Sequence, residues 1–390
     1  MLGQRIAHGV FYLSAGVVVG TYVGFPAGLI LRAKVARRPV RASNVTPSIA
    51  VVIAAHNEES GLGPKLESVL RCDYPGQLLE IVVASDGSTD RTVEVAREFE
   101  TRGVRTLDLP RAGKANALNT AVSTCQAEVV VLSDANNPLD RLALRQIVRP
   151  FADPDVGGVA GDQRYVPATH DDGTTGERSY WALDRMVKAA EAASGNIVSA
   201  TGALYAVRRE LFPRVIEGVT DDFWVSTNVI RLGRRLVFAT DAVVYEVPSP
   251  GHRLEFQRKV RVMTRGLFGV YERRELLDPR RFGFYSLQLL AHKVLRRLMV
   301  FPLVMMWLSS ILASRRGGWF WPTMAAVQTA GYAGGALGLR VRLPGPAGRA
   351  LSLSAYFVMI NVASATAAWN VVRGRRIARW EPARTSQDRS

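Results

Sequence analysis

Three stretches without a formal charge decide what this chain can fold into: Gly9–Leu31 (23 residues), Trp319–Leu339 (21) and Leu351–Val372 (22). Each reaches the roughly 20 residues that a helix rising about 1.5 Å per residue needs to cross ~30 Å of hydrocarbon. Leu298–Ser314, at 17 residues, stands at the lower limit. Core helices of soluble proteins seldom run so far without a charge. Gly9–Leu31 is too long for the apolar part of a signal peptide, and no small-residue cleavage site follows it. It reads as an anchor.

The charge balance follows from that placement. Lys and Arg number 50 against 34 Asp and Glu, a net charge of +16. An excess of this size is compatible with nucleic acid, but its positions point elsewhere. Arg32, Lys34, Arg37, Arg38 and Arg41 follow the first apolar run with no acid among them. His292, Lys293, Arg296 and Arg297 precede the run Leu298–Ser314, and Arg373, Arg375, Arg376 and Arg379 follow the last. Basic residues beside a span favour the cytoplasmic face and anionic headgroups. The excess is a membrane feature, and nucleic acid is not an expected partner.

The first span then runs inward, at the plasma membrane, and leaves residues 42 to about 290 in the cytosol. Three further full crossings would strand the basic C-terminus outside. One C-terminal segment is therefore expected to be re-entrant or interfacial, with Leu298–Ser314 the weakest candidate for a full span. Phe284–Arg297 carries apolar residues at helical spacing and ends in basic ones, as an interfacial helix does. The expected organisation is an anchor and basic segment (1–41), a cytosolic domain (42–282), an interfacial helix (283–297), membrane helices (298–372) and a basic tail (373–390). Cys72 and Cys125 lack metal-ligand spacing and read as buried thiols.

Between the anchors the pattern changes. Ser48–Ala55, Leu79–Ser85, Val104–Asp108 and Val129–Leu132 are short apolar runs of the buried-strand type. Helical patterns separate them: Gly61–Cys72, Asp90–Arg102 and Lys114–Thr124. Strand and helix alternating at this spacing predict an α/β domain with a parallel sheet and right-handed crossovers. Ligands of such sheets sit at the carboxyl ends of the strands. HNEE follows the first strand, SDGSTD the second and SDAN the fourth. No GxGxxG follows any of them, and no P-loop lysine motif is present.

Singly, each token has the composition of an ordinary strand-to-helix turn. Together they bring Glu58, Asp86 and Asp134 around one crevice, where three carboxylates repel unless a cation or a set of donors neutralises them. A divalent ion arriving with a nucleotide diphosphate meets that need, and Asp134 with Asn136 offers the partial shell that Mg²⁺ commonly takes from protein. The loop PATHDDGTTG, which holds His170, Asp171 and Asp172, resembles a metal fragment but reads as a flexible connection.

The ordered series AHNEE, SDGSTD, GKANALN, SDAN, GALYAVRRE, TDDF and RKVR resembles the membrane-integrated members of glycosyltransferase family 2, which include cellulose and hyaluronan synthases. The likeness runs from about residue 48 to 266, and more loosely to Trp380. It implies a GT-A fold flanked by membrane helices. By the same resemblance His56, Glu58 and Asp86 contact the uracil and ribose of a UDP-sugar, and Lys114 lies against the base or diphosphate. Asp134 and Asn136 occupy the metal-binding DxD motif for Mg²⁺ or Mn²⁺, with Asn in place of the second acid. Thr220, Asp221 and Asp222 match Thr-Glu-Asp, whose last residue is the general base. Arg258 and Arg261 fall on Gln-x-x-Arg-Trp, with Arg for Gln and Val262 for Trp. The missing Trp removes the usual acceptor platform and weakens the expectation of processive polymer synthesis. Tyr180, Trp181, Glu191, Gly202, Tyr205, Asp221 and Trp224 lie where an acceptor would be lined.

The implied reaction is inverting transfer from a nucleotide sugar to a cell-surface polysaccharide or other glycan, with Asp222 taking the acceptor's proton. Arg258, Arg261 and a cation at Asp134 would stabilise the leaving UDP. Two alternatives stand beside it. One is single-sugar transfer to a lipid carrier such as polyprenyl phosphate or a glycolipid; the other is a non-catalytic membrane protein that binds nucleotide sugars. A retained base and metal motif argue against the last.

Overall fold

A computed structural model of the chain describes residues 2–165, 175–246, 252–315, 318–341 and 343–377. The chain divides into two compact units. One is built from Ile30–His170 and Trp181–Ser249; the other from Met1–Leu29, Asp171–Tyr180 and Pro250–Ile377.

The first unit carries a seven-stranded sheet in the order β3-β2-β1-β4-β6-β5-β7. Its strands are β1 (Ile49–Ala55), β2 (Leu79–Asp86), β3 (Val104–Leu109), β4 (Val129–Leu132), β5 (Val156–Tyr165), β6 (Tyr205–Arg208) and β7 (Arg235–Glu246). Every residue of β1 (IAVVIAA) and of β4 (VVVL) is buried, as a strand covered on both faces requires. β3, β2, β1 and β4 run parallel. The helices Glu59–Leu70, Thr92–Arg97 and Lys114–Ser123 connect them in turn.

The expected strands and crossover helices are present, with ends moved by at most five residues and Val129–Leu132 unchanged. The expected helix over 90–102 is shorter, because a 3₁₀ turn, Glu100–Arg102, ends it before Gly103 at φ 87°. The sheet is mixed rather than purely parallel. β6 pairs antiparallel with both β4 and β5, and β7 returns parallel to β5. This half escapes a periodicity reading because β6 has only four residues and β5 carries three glycines. Cβ atoms at Gly157, Gly158 and Gly161 would fall 2.5–2.8 Å from leucine methyls.

The register sets the site. Ala55 pairs with Ser85, and Val52 with Leu132. The residues that follow β1 and β4, and the last residue of β2, therefore emerge together at one sheet edge. β1 has β2 on one side and β4 on the other, and chain order reverses there, which is where open α/β sheets bind ligands.

The second unit is helical. Two helices among the described residues are long and apolar enough to cross a membrane, Leu2–Val35 and Gly345–Val372. A third span is possible if Phe284–Arg297 and Val300–Ser314, bent 60° from each other, count as one. Phe320–Gly338 falls outside that set, although its parent run carries no charge. Gln328, its threonines and its glycines dilute the apolar residues.

Packing in this unit is by rings and small residues. His8 stacks on Trp321 at 4.2 Å, and Phe11 meets the same indole edge-on. Gly335 and Gly338 let their helix approach the backbone of Ser354 and Leu351, where a Cβ would come within 2.6 Å of a carbonyl oxygen. Close backbone approach of this kind is how helices associate where no water drives them together.

Candidate active site

Two of the expected tokens prove to be one structure. Asn57, at φ 53°, accepts the Thr89 N–H on its side-chain oxygen at 2.8 Å. The Glu58 N–H donates to Thr92 Oγ1 at 2.8 Å, and Glu59 accepts the Arg91 N–H at 2.9 Å. HNEE and SDGSTD are thus sewn together by reciprocal side-chain-to-backbone bonds. Gly87 is required at their centre. Its φ is +57°, and a Cβ would lie 2.7 Å from the Arg111 nitrogen.

His56 and Asp86 stand beneath this seam. The His56 Nδ1–H donates to the Asp86 carbonyl at 2.8 Å. Burial, then the nearby Arg111 charge, lowers the pKa of the ring and favours neutral imidazole. The Asp86 side chain is fully buried. Its Oδ1 accepts the Ala112 and Gly113 N–H groups at 2.7 and 2.8 Å, and Arg111 Nη1 stands 3.3 Å from Oδ2. Oδ2 is buried, with no hydrogen bond among the described residues, and the Arg111 guanidinium is its nearby counter-charge.

Glu58 is pushed up to about 7, first by burial and then by the charges of Asp134 and Asp90. Of the three strand-end carboxylates, Glu58 and Asp134 act on each other, whereas Asp86 is not among the charges that shift Glu58. The counter-charge comes from Lys114, the first residue of its helix. Lys114 Nζ donates to Asp134 Oδ1 at 2.8 Å and lies 3.2 Å from Asp221 Oδ1. Burial disfavours this ammonium, but Asp134 and Asp221 outweigh it and hold its pKa above the ordinary lysine value.

Asp221 is further bound by the Tyr205 hydroxyl, at 3.3 Å from Oδ2. Burial first, then Asp221, Asp222 and Asp134, keeps that phenol protonated well beyond its usual range. Asp222 differs from its neighbour: its Oδ1 accepts the Phe223 N–H at 2.7 Å. Both acids open the helix Asp221–Arg231, where negative charge is favoured by the helix dipole. The segment leading into it is clamped by Asn119, whose amide both donates to and accepts from the Val215 backbone, at 2.9 and 2.8 Å.

The fit of a divalent cation rests on Asp134. An ammonium already occupies one of its oxygens, so the position favours positive charge. Gly202 faces the other, and a Cβ there would lie 3.1 Å from Oδ2. Asn136 is exposed in the turn beside it. Among the described residues no group of three His, Cys, Asp or Glu side chains surrounds one point. The chain therefore supplies part of a shell. That suits an ion completed by phosphate and water, and does not suit a protein-only cage.

The remaining expected residues divide. Glu191 is fully buried, and its Oε2 accepts the Val198 N–H at 3.1 Å, which closes a loop. The Trp224 indole N–H donates to the Arg214 carbonyl at 3.0 Å. Tyr180 and Trp181 lie on the helix Thr175–Ser194, but their side chains fall outside the described residues, as do His170, Asp171 and Asp172. Arg258 and Arg261 belong to the helix His252–Glu272 of the second unit, where Arg258 makes a bidentate bond to Glu255 at 2.8 and 3.1 Å.

Sequence reasoning missed Arg111, Asn119 and Lys65. Lys65 is fully buried, and burial pushes it down to about 7 against the opposing attraction of Asp134. Its signal was present: Leu62, Lys65, Leu66 and Val69 form one helical face, with a single lysine in an apolar stripe.

Comparison with known proteins agrees with this geometry. A family model described as glycosyltransferase-like family 2 matches residues 47–269. A probable glycosyltransferase of Bacillus subtilis, YdaM, is 25% identical over 231 residues, 55% of this chain and 54% of its own. The beta-monoglucosyldiacylglycerol synthase of Synechocystis is 27% identical over 185 residues, 45% of this chain and 39% of its own. The poly-beta-1,6-N-acetyl-D-glucosamine synthase of Staphylococcus epidermidis is 28% identical over 185 residues, 46% and 44%. The chain thus spans about half the length, or less, of the curated relatives it matches. Among solved structures, a mannosyltransferase of Pyrobaculum calidifontis, in complex with GDP-Man and Mn²⁺, superposes with a TM-score of 0.72. It covers 94% of this chain and 99% of that one at 22% identity, which establishes a shared GT-A fold. With the family model spanning more than half of the chain and the strand-end tokens gathered at one edge of a GT-A sheet, this protein belongs to glycosyltransferase family 2.

Proposed function

We propose that the chain is an inverting membrane glycosyltransferase that moves a sugar from a UDP-sugar to a glycan or lipid acceptor. The observation that carries this reading is the chain of contacts Asp134–Lys114–Asp221–Tyr205 at the carboxyl ends of the central strands, with Asp222 next to it but differently bound. The clamp between Lys114 and the two acids orders the donor side. Asp86, the last residue of β2 with Arg111 beside it, orders the uracil end of the donor. Glu58 receives the ribose.

Asp222 takes the proton of the acceptor hydroxyl as that oxygen bonds to the anomeric carbon. The carbon's bond to the phosphate oxygen breaks, and UDP leaves with the electron pair. One displacement inverts the configuration. Asp134, assisted by Asn136, would hold Mg²⁺ or Mn²⁺, which when bound supplies Lewis-acid stabilisation to the leaving diphosphate. Asp221 is unsuited to be the base, because Lys114 and Tyr205 already hold its two oxygens.

Val262 stands where the family's acceptor-platform Trp would be, which favours short products. Among the relatives, the beta-monoglucosyldiacylglycerol synthases are named for a glucosylated lipid as product, and by analogy a lipid hydroxyl is a matching acceptor class. The test is a UDP-release screen of the full chain in lipid nanodiscs over a panel of UDP-sugars with lipid and oligosaccharide acceptors, followed by product mass and anomeric configuration. A UDP-sugar-dependent product of inverted configuration is expected. A GDP-sugar preference would refute the nucleotide assignment, and UDP binding without turnover on any acceptor would refute the enzymatic one.

A further inference from the structure

The turn that carries Asp134 is held from below by one side chain. Lys65 lies on the inward face of the helix Glu59–Leu70 with none of its surface exposed. Its Nζ donates to Ser133 Oγ and to the Asn137 carbonyl, both at 2.6 Å. These two residues flank Asp134–Asn136, so a single amine grips both ends of the turn. Ser133 passes the link on by donating to the Ala203 carbonyl, next to Gly202, which faces Asp134 Oδ2. Asn137 passes it to β7, through its amide and the Tyr245 carbonyl at 3.1 Å.

A core position of this kind is filled more cheaply by methionine or leucine, since a buried amine forfeits its hydration. Leu62, Leu66 and Val69 on the same face already supply the apolar packing. What Lys65 adds is direction. An apolar side chain of equal volume would seal the core and leave the Asn137 carbonyl and the Ser133 hydroxyl oxygen without the donor they share.

We propose that Lys65 is a positioning residue for the donor's metal and diphosphate: it fixes the Ser133–Asn137 turn so that Asp134 presents its carboxylate to the cation. The inference rests on the reading of Asp134 as a metal ligand. Residues that orient the ligands of a metal, rather than touch the metal, typically carry a large share of its affinity.

The experiment measures UDP affinity of the full chain in nanodiscs, once with excess Mn²⁺ and once with EDTA. The ratio of the two dissociation constants reports the metal-dependent part of binding, with no turnover involved. Lys65→Met is expected to shrink that ratio by about tenfold and to leave the EDTA value unchanged. Ser133→Ala, which keeps the lysine and removes one of its acceptors, should shrink it by about fivefold, and decides the matter alone if Lys65→Met does not fold. A merely structural role predicts a lower melting temperature with the ratio intact, and that result overturns the proposal. A larger ratio in Lys65→Met also overturns it, since the amine would then be opposing the cation. Asp134→Ala separates the two readings. It must abolish the ratio; if the wild type shows none, or Asp134→Ala keeps it, the metal reading fails and this inference with it.

Discussion

The candidate site is a set of carboxylates whose neighbours differ, and the roles we propose for them rest on those differences. Asp86 is fully committed on one oxygen to two backbone N–H groups. Asp134 and Asp221 share an ammonium. For Glu58 the Lys114 charge is outweighed, and its carboxyl is pushed up from 4.5 to about 7 by burial and by Asp134 and Asp90. A pKa raised on folding means that the neutral form is favoured in the native state. The stability it contributes is full below about 4.5 and is lost as pH rises through about 7. Glu58→Gln stays neutral throughout. The variant should therefore melt close to the wild type near pH 4.5 and above it near pH 8.5, by an amount on the order of 1–3 kcal/mol. Equal differences at both pH values would show that Glu58 does not feel its neighbours as the structure indicates.

At the scale of elements, what the sequence made legible is the parallel half of the sheet. The runs IAVVIAA and VVVL are short, rich in β-branched residues and bounded by polar turns, as strands buried on both faces are, and the helical patterns between them fit crossovers. The polar tokens at their ends followed from the same reading. The antiparallel half was not legible, since a four-residue β6 and a glycine-bearing β5 have too little periodicity to detect. The burial of Lys65 could be read from its apolar stripe, but its partners and those of Asn119 were hidden for another reason. These partners, Ser133 with Asn137 and Val215, lie 68, 72 and 96 positions away, and spacing along the chain says nothing about such bonds. The basic segment after the first span is a further case. Arg38, read only as a headgroup neighbour, accepts on its carbonyl from Arg235 Nη2 at 2.8 Å, and Pro39 accepts from Nη1 at 3.1 Å. The Arg38 N–H meanwhile donates to Ala193 at 2.8 Å. Arg235 thus ties this segment to the start of β7. Arg235→Met should expose Arg37–Arg41 to trypsin, with cleavage there faster by about tenfold, as expected for two charge-assisted bonds. Unchanged cleavage would mean the segment is held by other means.

For the whole molecule, two apolar helices near opposite ends of the chain are each followed by arginines, and on that basis we propose that the catalytic unit faces the cytoplasm. A membrane-impermeant thiol reagent applied to intact cells should label Gly3→Cys and miss Ser43→Cys; a labelled Ser43→Cys reverses the orientation. That placement matters because nucleotide sugars must reach the donor site from the compartment that holds them. The account as a whole turns on Asp222. Measured on the full chain in nanodiscs with its best donor and acceptor, Asp222→Asn should lower UDP release by a factor on the order of 10²–10⁴, the usual contribution of a positioned general base. UDP affinity should stay near the wild-type value, because the base acts on the acceptor. Asp221→Asn should weaken UDP binding through the loss of its pairing with Lys114. Near-wild-type release by Asp222→Asn would contradict the account, and an inactive Asp221→Asn with intact UDP affinity beside it would move the base one residue earlier.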